Sequence, residues 1–387
     1  MNTLNLLSSP RTPHIKRIWT DLCAEKEVPQ LDRWLVNRLK QDKRFGSKDR
    51  RFYADAVFAI MRRALALDEL KDYEPMVAWQ KIRDWEVHSF FEAIEKLDKT
   101  ASGGLSPWFN SYLDERIKAS AWSAQQKSDF LTKLLTRAPL WLRLNHLDKK
   151  PRLEKLLGEL NVPFENSGFA YKMLVEKNFT GTPVIEDGLA EVQDYGSQLL
   201  GLSVQVKDGG TIWDACAGGG GKSLQLASLH PRAYVYASDV RAYKSTELLK
   251  RSARAKLKNV HPVLWDGSTH FDRPNKAAQG FDVILVDAPC SGSGTWRRSP
   301  DGRFKISKAN LGELHDLQFS IIKKVLPHLK AGGELVYATC SWLVEENEAV
   351  VNRAARELGL TIIEQTMKGS PDTDADTLFV ARLRVQV

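Results

Sequence analysis

Apolar residues recur at threes and fours from Ile15 to about Lys133, as in Trp34, Leu35 and Leu39, or Ala54, Val57, Phe58, Ile60, Met61 and Ala64. That period lines one stripe of a helix, so the region is expected to be a helical bundle. Ser102 to Pro107, rich in glycine, reads as a loop, and a helical stretch through Trp122 and Phe130 to Leu135 closes the bundle. The pattern then changes. Pro139 to Asn145 alternates apolar with polar and predicts a strand, Lys150 to Leu160 a helix, and Tyr171 to Val175 another strand. These make a small α/β insert.

From Val192 onward the two periods alternate. Helices are predicted over Gln198 to Val206, Lys222 to Leu229, Tyr243 to Lys258, Ala309 to Leu329 and Val344 to Leu358. Strands are predicted over Thr211 to Cys216, Tyr234 to Val240, Pro262 to Trp265, Phe281 to Asp287, Glu334 to Thr339 and Thr377 to Arg384. Repeated strand-helix units imply an α/β fold with a doubly wound, mostly parallel sheet. The expected domains are residues 1–135, 136–192 and 193–387, and no internal repeat or low-complexity tract interrupts them.

Two strand ends carry chemistry. The run Phe281 to Val286 is apolar throughout, as in a strand buried on both faces, and it ends in Asp287-Ala288-Pro289-Cys290-Ser291-Gly292. The strand Glu334 to Thr339 runs into Cys340. Open α/β sheets keep their chemistry at the carboxyl ends of strands. A free cysteine is more often a small core hydrophobe, so each thiol alone proves little.

Charge adds a partner to this picture. The chain carries a formal net charge of +8, with clusters at Arg297-Arg298 and from Lys250-Arg251 through Lys256 and Lys258. Such a surplus favours a polyanion, chiefly nucleic acid. Arg50, Arg51, Arg62 and Arg63 decorate the helical region, either as a solvated face or as part of an RNA-binding module. Cys23, Cys216, Cys290 and Cys340 form no CxxC or Cys/His pairs at zinc spacing, so no metal is expected. Sparse free thiols suit a reducing cytoplasm. Met1 to Lys16 lacks the apolar core of a signal peptide, and no run reaches the length of a membrane span, so a soluble, cytoplasmic protein is expected.

Asp214-Ala215-Cys216-Ala217-Gly218-Gly219-Gly220-Gly221-Lys222-Ser223 lies between a strand and a helix, where backbone can approach a ligand closely. A phosphate-binding P-loop would need glycine where Cys216 stands, and the contiguous glycines lack G-x-G-x-x-G spacing. A third option is the S-adenosylmethionine loop of class I methyltransferases, which holds the cofactor between a strand-end acid and adjacent glycines. Asp239 after the second strand is then placed for ribose hydroxyls, and Asp266 after the third for an adenine amino group. Each acid singly is more commonly a helix N-cap, but Asp214, Asp239 and Asp266 at successive strand ends read better as a cofactor track.

Taken together, Asp287-Ala288-Pro289-Cys290, Thr339-Cys340-Ser341, the loop Cys216 to Lys222, and Val192-Gln193-Asp194 resemble the RsmB/NSUN (Sun/Fmu) RNA cytosine-C5 methyltransferases. The likeness covers about half of the chain. Pro139 to Asn145 resembles the family's strand ahead of the catalytic core, and Asp49 to Asp68 resembles its NusB-like helical domain. One departure is Gly219, which stands where the family loop usually has proline.

The resemblance implies a Rossmann-like methyltransferase domain behind a NusB-like domain and a small RNA-contacting subdomain. It implies S-adenosylmethionine bound by Cys216, Ala217, Gly218, Gly219, Gly220, Gly221 and Lys222, with Asp239, Asp266 and Asp287. Cytosine C5 is a poor nucleophile until a thiolate adds at C6, and the resemblance gives that attack to Cys340. It makes Cys290 the helper in product release and Asp287 the grip on the cytosine N3/N4 edge.

Lys222 is either a cation favouring the thiolate or a solvated first-turn lysine. Trp296, Arg297 and Arg298 follow the Cys290 motif and are expected to touch RNA by stacking and phosphate contact, with a solvated loop as the plain alternative. The expected partner is ribosomal RNA rather than transfer RNA, bound by a monomer. A non-catalytic assembly factor that retains the fold is the rival from another class, and a P-loop hydrolase is the rival enzyme.

Overall fold

In the first helix Ile15, Ile18, Trp19 and Leu22 are all buried, the spacing of one helical stripe. The computed structural model describes residues 9–97 and 103–385, so Met1 to Ser8 of the amino-terminal segment and Ser102 of the predicted loop lie outside the described residues. The chain divides into two units, one comprising residues up to Ala138 with Ser291–Gly312, the other Pro139–Cys290 with Glu313 to the end.

The first unit is helical. It contains α1 (Thr12–Cys23), α2 (Leu31–Gln41), α3 (Ser47–Met61), α4 (Pro75–Arg83), α5 (Val87–Lys96), α6 (Asn110–Ser120) and α7 (Ala124–Leu134). Trp19 stacks on Phe90 with ring centroids 5.0 Å apart, joining α1 to α5. A capping box between Ser123 and Gln126 starts α7. Two arginines act as internal struts. Arg62 donates to the Arg297 carbonyl, and Arg303 donates to the carbonyls of Arg62 at 2.7 Å and Leu134 at 2.9 Å. Arg62 is therefore buried, in contrast to the surface position expected of it.

The second unit holds two sheets. The smaller is formed by β1 (Trp141–Leu144), β2 (Phe164–Ser167), β3 (Ala170–Met173) and β4 (Ala190–Val192), all antiparallel in the order β2-β3-β1-β4, with α8 (Lys150–Glu159) and α9 (Pro183–Glu186) between strands. After α10 (Tyr195–Gly201) the larger sheet begins with β5 (Thr211–Asp214), α11 (Gly221–Leu229), β6 (Tyr234–Ala237), α12 (Tyr243–Arg254), β7 (Val260–Pro262) and β8 (Phe281–Asp287). It continues through α13 (Lys308–Val325), β9 (Leu329–Thr339), α14 (Glu348–Leu358), β10 (Leu360–Gly369) and β11 (Thr377–Val385).

The strand order is β10-β11-β9-β8-β5-β6-β7, with β5 to β9 parallel and the β10-β11 hairpin antiparallel at one edge. Chain order therefore reverses between β5 and β8, the switch point where such sheets open a crevice at their carboxyl ends. Both faces of β8 are covered. Val283 and Leu285 join one apolar cluster, while Ile284 and Val286 join the other, which explains why its sequence does not alternate.

Several predicted bounds shift. The third strand is Val260–Pro262, ahead of the predicted Pro262 to Trp265, because Trp265 is buried from a loop against Trp213, at 5.1 Å. The helix predicted from Val344 begins at Glu348 after a short 3-10 turn. The edge strand β10 was not predicted, and Ser291–Gly312, placed in the catalytic region by sequence, groups with the helical unit.

Gly188 fastens the small sheet to α12. Its φ is +67°, its carbonyl accepts from Asn145 Nδ2 at 2.9 Å, and a Cβ there would lie 1.9 Å from the Arg254 carbonyl oxygen. Gly188→Ala is therefore expected to cost on the order of 2–4 kcal/mol. Gly181→Ala, at a φ of +77° in open space, should cost only about 1 kcal/mol. Denaturant melts of the two variants check this; equal midpoints would contradict the clash.

Candidate active site

The carboxyl ends of β8 and β9 are hydrogen-bonded neighbours, with Asp287 opposite Ala338 and the Ala288 amide donating to the Ala338 carbonyl at 2.9 Å. Three residues after β8 comes Cys290, and directly after β9 comes Cys340. Their sulfur atoms are 3.3 Å apart, and both side chains are half-buried. The sequence placed the thiols at two strand ends; parallel pairing of those strands brings them together.

Asp287 closes the other side of the cluster. Its Oδ2 accepts from Lys222 Nζ at 2.7 Å, and the lysine side chain retains only 12% of its exposure. Burial alone would lower the Lys222 pKa, but the Asp287 charge and hydrogen bond outweigh it, and Cys340 is near enough to add to the upward shift. Lys222 is thus a fixed ammonium within the cluster rather than a solvated surface lysine. Its position in the first turn of α11 is electrostatically poor for a cation, and the ion pair with Asp287 offsets that.

The glycine loop rises from β5 beside this cluster. Gly218 and Gly220 have φ of +54° and +81°, which a glycine adopts without strain. The Gly218 amide donates to Asp239 Oδ2 at 3.0 Å, and the Ala217 amide donates to the Ser238 carbonyl at 2.8 Å. Asp239 also pairs with Arg241, whose hydrogen bond chiefly holds its carboxyl below the usual range.

Added Cβ atoms at Gly218 and Gly221 would meet nothing within 4 Å, so the loop leaves room at its backbone. Beneath it Asp214 is fully buried and accepts from Ser223 Oγ at 2.6 Å, while its Oδ1 has no hydrogen-bond partner. Burial pushes the Asp214 carboxyl up to about 7. Cys216 sits at the loop's base with its thiol pushed up by burial, which makes it a poor nucleophile.

One anchor of this loop was missed by sequence reasoning. Arg251 of α12 donates to the Gly219 carbonyl and pairs with Glu191 of β4 at 2.9 Å, and Arg254 pairs with the same carboxylate at 3.0 Å. In the sequence Arg251 is one member of the basic cluster from Lys250 to Lys258. The adjacent acid lies 60 residues away in sequence, so no local pattern signals the pair.

Other expectations are corrected. Asp266 does not end a strand: β7 stops at Pro262, and Asp266 is an exposed loop residue whose carboxylate accepts from the Ser268 amide at 2.8 Å. Trp296 is fully buried, with its ring 5.3 Å from that of Phe109 and the Arg303 guanidinium over it. Arg297 is buried too, donating to Thr136 Oγ1 and to the Arg137 carbonyl, both at 3.0 Å. Neither can stack on or pair with RNA in this arrangement, because the helical unit already holds both. Of the three, Arg298 is exposed. Among the described residues no group of three His, Cys, Asp or Glu side chains is placed to hold a metal ion, and no helix is long and apolar enough to cross a membrane.

The chain is similar to known proteins in sequence and in fold. The family model described as 16S rRNA methyltransferase RsmB/F matches residues 202–384. A ribosomal RNA small subunit methyltransferase B from Erwinia tasmaniensis is 35% identical over 265 residues, which cover 65% of this chain and 59% of the relative. This chain thus spans about three fifths of that protein's length. Its namesake from Serratia proteamaculans is 31% identical over 308 residues, covering 75% of this chain and 69% of the relative.

Among solved structures, a methyltransferase homologue from Pyrococcus horikoshii has a TM-score of 0.56 at 25% identity, covering 73% of this chain and all of its own. The structure of NSun6 from Pyrococcus horikoshii with SFG has a TM-score of 0.60 at 16% identity, covering 71% and 97%. The fold is that of these proteins, and likeness extending over 69% of the Serratia relative makes this chain a member of the RsmB/F family of 16S rRNA methyltransferases.

Proposed function

We propose that the protein methylates C5 of a cytosine in ribosomal RNA, using S-adenosylmethionine. The observation that carries this reading is the pair of thiols 3.3 Å apart at two parallel strand ends, with Asp287 and its Lys222 counter-ion at the same edge. The names of the relatives favour small-subunit ribosomal RNA over transfer RNA.

When bound, S-adenosylmethionine would supply a methyl group made electrophilic by its sulfonium. The residues present fit it. The loop backbone is open at Gly218 and Gly221, Asp239 would take the ribose hydroxyls, and the unpartnered Asp214 Oδ1 would accept from the amino-acid ammonium. Val240 and Leu264, 70% and 85% exposed just beyond β6 and β7, offer apolar surface for a planar base.

In the proposed mechanism the Cys340 thiolate forms a bond to cytosine C6. The displaced π electrons move toward C5 and N3, where a proton shared between N3 and Asp287 offsets the developing charge while the carboxylate also accepts from the N4 amine, and C5 becomes a nucleophile. Lys222 steadies the anionic character of the cluster. After methylation, loss of the C5 proton returns an electron pair to the C5–C6 bond, and the Cys340–C6 bond breaks. Cys290 is close enough to assist that proton loss, directly or through a water.

Cys340→Ala should lower methyl transfer to ribosomal RNA by on the order of 10³-fold or more, read as tritiated methyl incorporation. Turnover near the wild-type rate would remove Cys340 as nucleophile. With Cys290→Ala, attack should proceed and release should stall, leaving an RNA-protein adduct visible on denaturing gels; no adduct would mean that Cys290 has another role.

Asp214→Asn tests the cofactor cradle. Loss of its charge should weaken S-adenosylmethionine binding by about tenfold or more in calorimetry. The carboxyl sits near 7 when folded, against 3.8 ordinarily, so folding favours its protonated form. Wild type should therefore lose stability relative to the variant as pH rises from about 4 to about 7, and no further above that. A difference in melting temperature that stays flat across the window would contradict the buried assignment.

A further inference from the structure

Behind the two thiols lies a chain of buried polar groups that the proposed chemistry does not use. Gln318 of α13 is fully buried, and its Nε2 donates to the Pro289 carbonyl at 3.0 Å and to Glu346 Oε1 at 3.1 Å. Pro289 immediately precedes Cys290. The other carboxylate oxygen of Glu346 accepts from Ser341 Oγ at 2.5 Å, and Ser341 immediately follows Cys340. Asn347 brackets Cys340 from both sides, accepting from Thr339 Oγ1 at 2.5 Å and donating to the Ser341 carbonyl at 2.9 Å. Ser341, Glu346 and Asn347 are fully buried as well.

The chemistry of the two neighbours explains why this position holds a carboxamide. The Pro289 carbonyl and a carboxylate oxygen both accept, so a bridge between them must donate twice. The NH₂ of glutamine does so without bringing a second charge into the interior. Its own Oε1 is left buried without a hydrogen-bond partner, a cost that packing alone would not select.

We propose that Gln318 is a positioning residue: with Glu346 and Ser341 it ties the turn carrying Cys290 to the turn carrying Cys340 and sets their separation. The inference rests on the methyltransferase reading above for its consequence in turnover, but the linkage itself is a property of the free protein. The β8-β9 pairing brings the two strand ends side by side, yet Cys290 lies three residues past β8 and needs its own fixation. Without the bridge the nucleophile still attacks, and the helper thiol no longer reaches the adduct.

The test is Gln318→Met, which keeps the length of the side chain and removes both donors, with Ser341→Ala breaking the same linkage at its other end. Folded protein is identified by a cooperative melt. In steady-state methylation kcat should fall about tenfold or more while KM for RNA and the affinity for S-adenosylmethionine stay within about twofold. An RNA-protein adduct should accumulate, as release becomes slow.

Independently of turnover, the rate at which diamide oxidises Cys290 and Cys340 to a disulfide in the RNA-free protein reports their separation. It should drop severalfold in both variants. Wild-type kcat together with a wild-type diamide rate in either folded variant would overturn the proposal. Failure of wild type itself to methylate RNA would overturn the functional reading instead, while the diamide rates would still judge the linkage.

Discussion

Parallel pairing of β8 with β9 is the constraint on which the site depends. Because Asp287 lies opposite Ala338, the last residues of both strands leave the sheet at the same height, and Cys290 and Cys340 meet at 3.3 Å. Side chains on β8 are buried on both faces, so a one-residue slip would exchange its two apolar clusters and move Asp287 away from Lys222. Register and chemistry are thus set by the same packing. The neighbouring reversal of strand order, between β5 and β8, adds the open glycine loop to the same edge.

Charge in this site is compensated before any substrate arrives. Lys222 and Asp287 neutralise one another, so the cluster can hold a buried ammonium near Cys340 without an uncompensated charge. The glycine loop is secured in the same way. Gly219 gives up the rigidity that proline would confer, and Arg251, oriented by the largely buried Glu191, takes hold of its carbonyl instead. A side chain of the small sheet therefore reaches, through one arginine, the loop that would carry the methyl donor.

Much of this was legible in the chain. A strand buried on both faces announces itself as a continuous apolar run, and acids or thiols at the ends of such runs are visible by eye. The limits are equally physical. The edge strand β10 mixes Glu364, Gln365 and Lys368 into its pattern, so it does not stand out from a polar loop. Trp265 looked like the end of a strand because it is apolar, but its burial comes from Trp213 across the fold. Trp296 and Arg297 looked like a basic, aromatic surface. Their partners, Phe109, Thr136 and Arg62, lie roughly 160 to 240 residues away in sequence, and nothing local reports them.

The buried network behind the thiols is expensive in stability, since carboxylate, carboxamides and hydroxyl all leave water. An apolar cluster of the same volume would fold as well or better. What it could not do is fix direction. Hydrogen bonds constrain angle as well as distance, whereas apolar contacts tolerate sliding, and in the proposed mechanism the two turns would present their sulfur atoms to successive steps of one reaction, which tolerates little of it. A polar interior at this point, in a sheet whose faces are otherwise covered by aliphatic and aromatic side chains, is what the proposed positioning role of Gln318 would require.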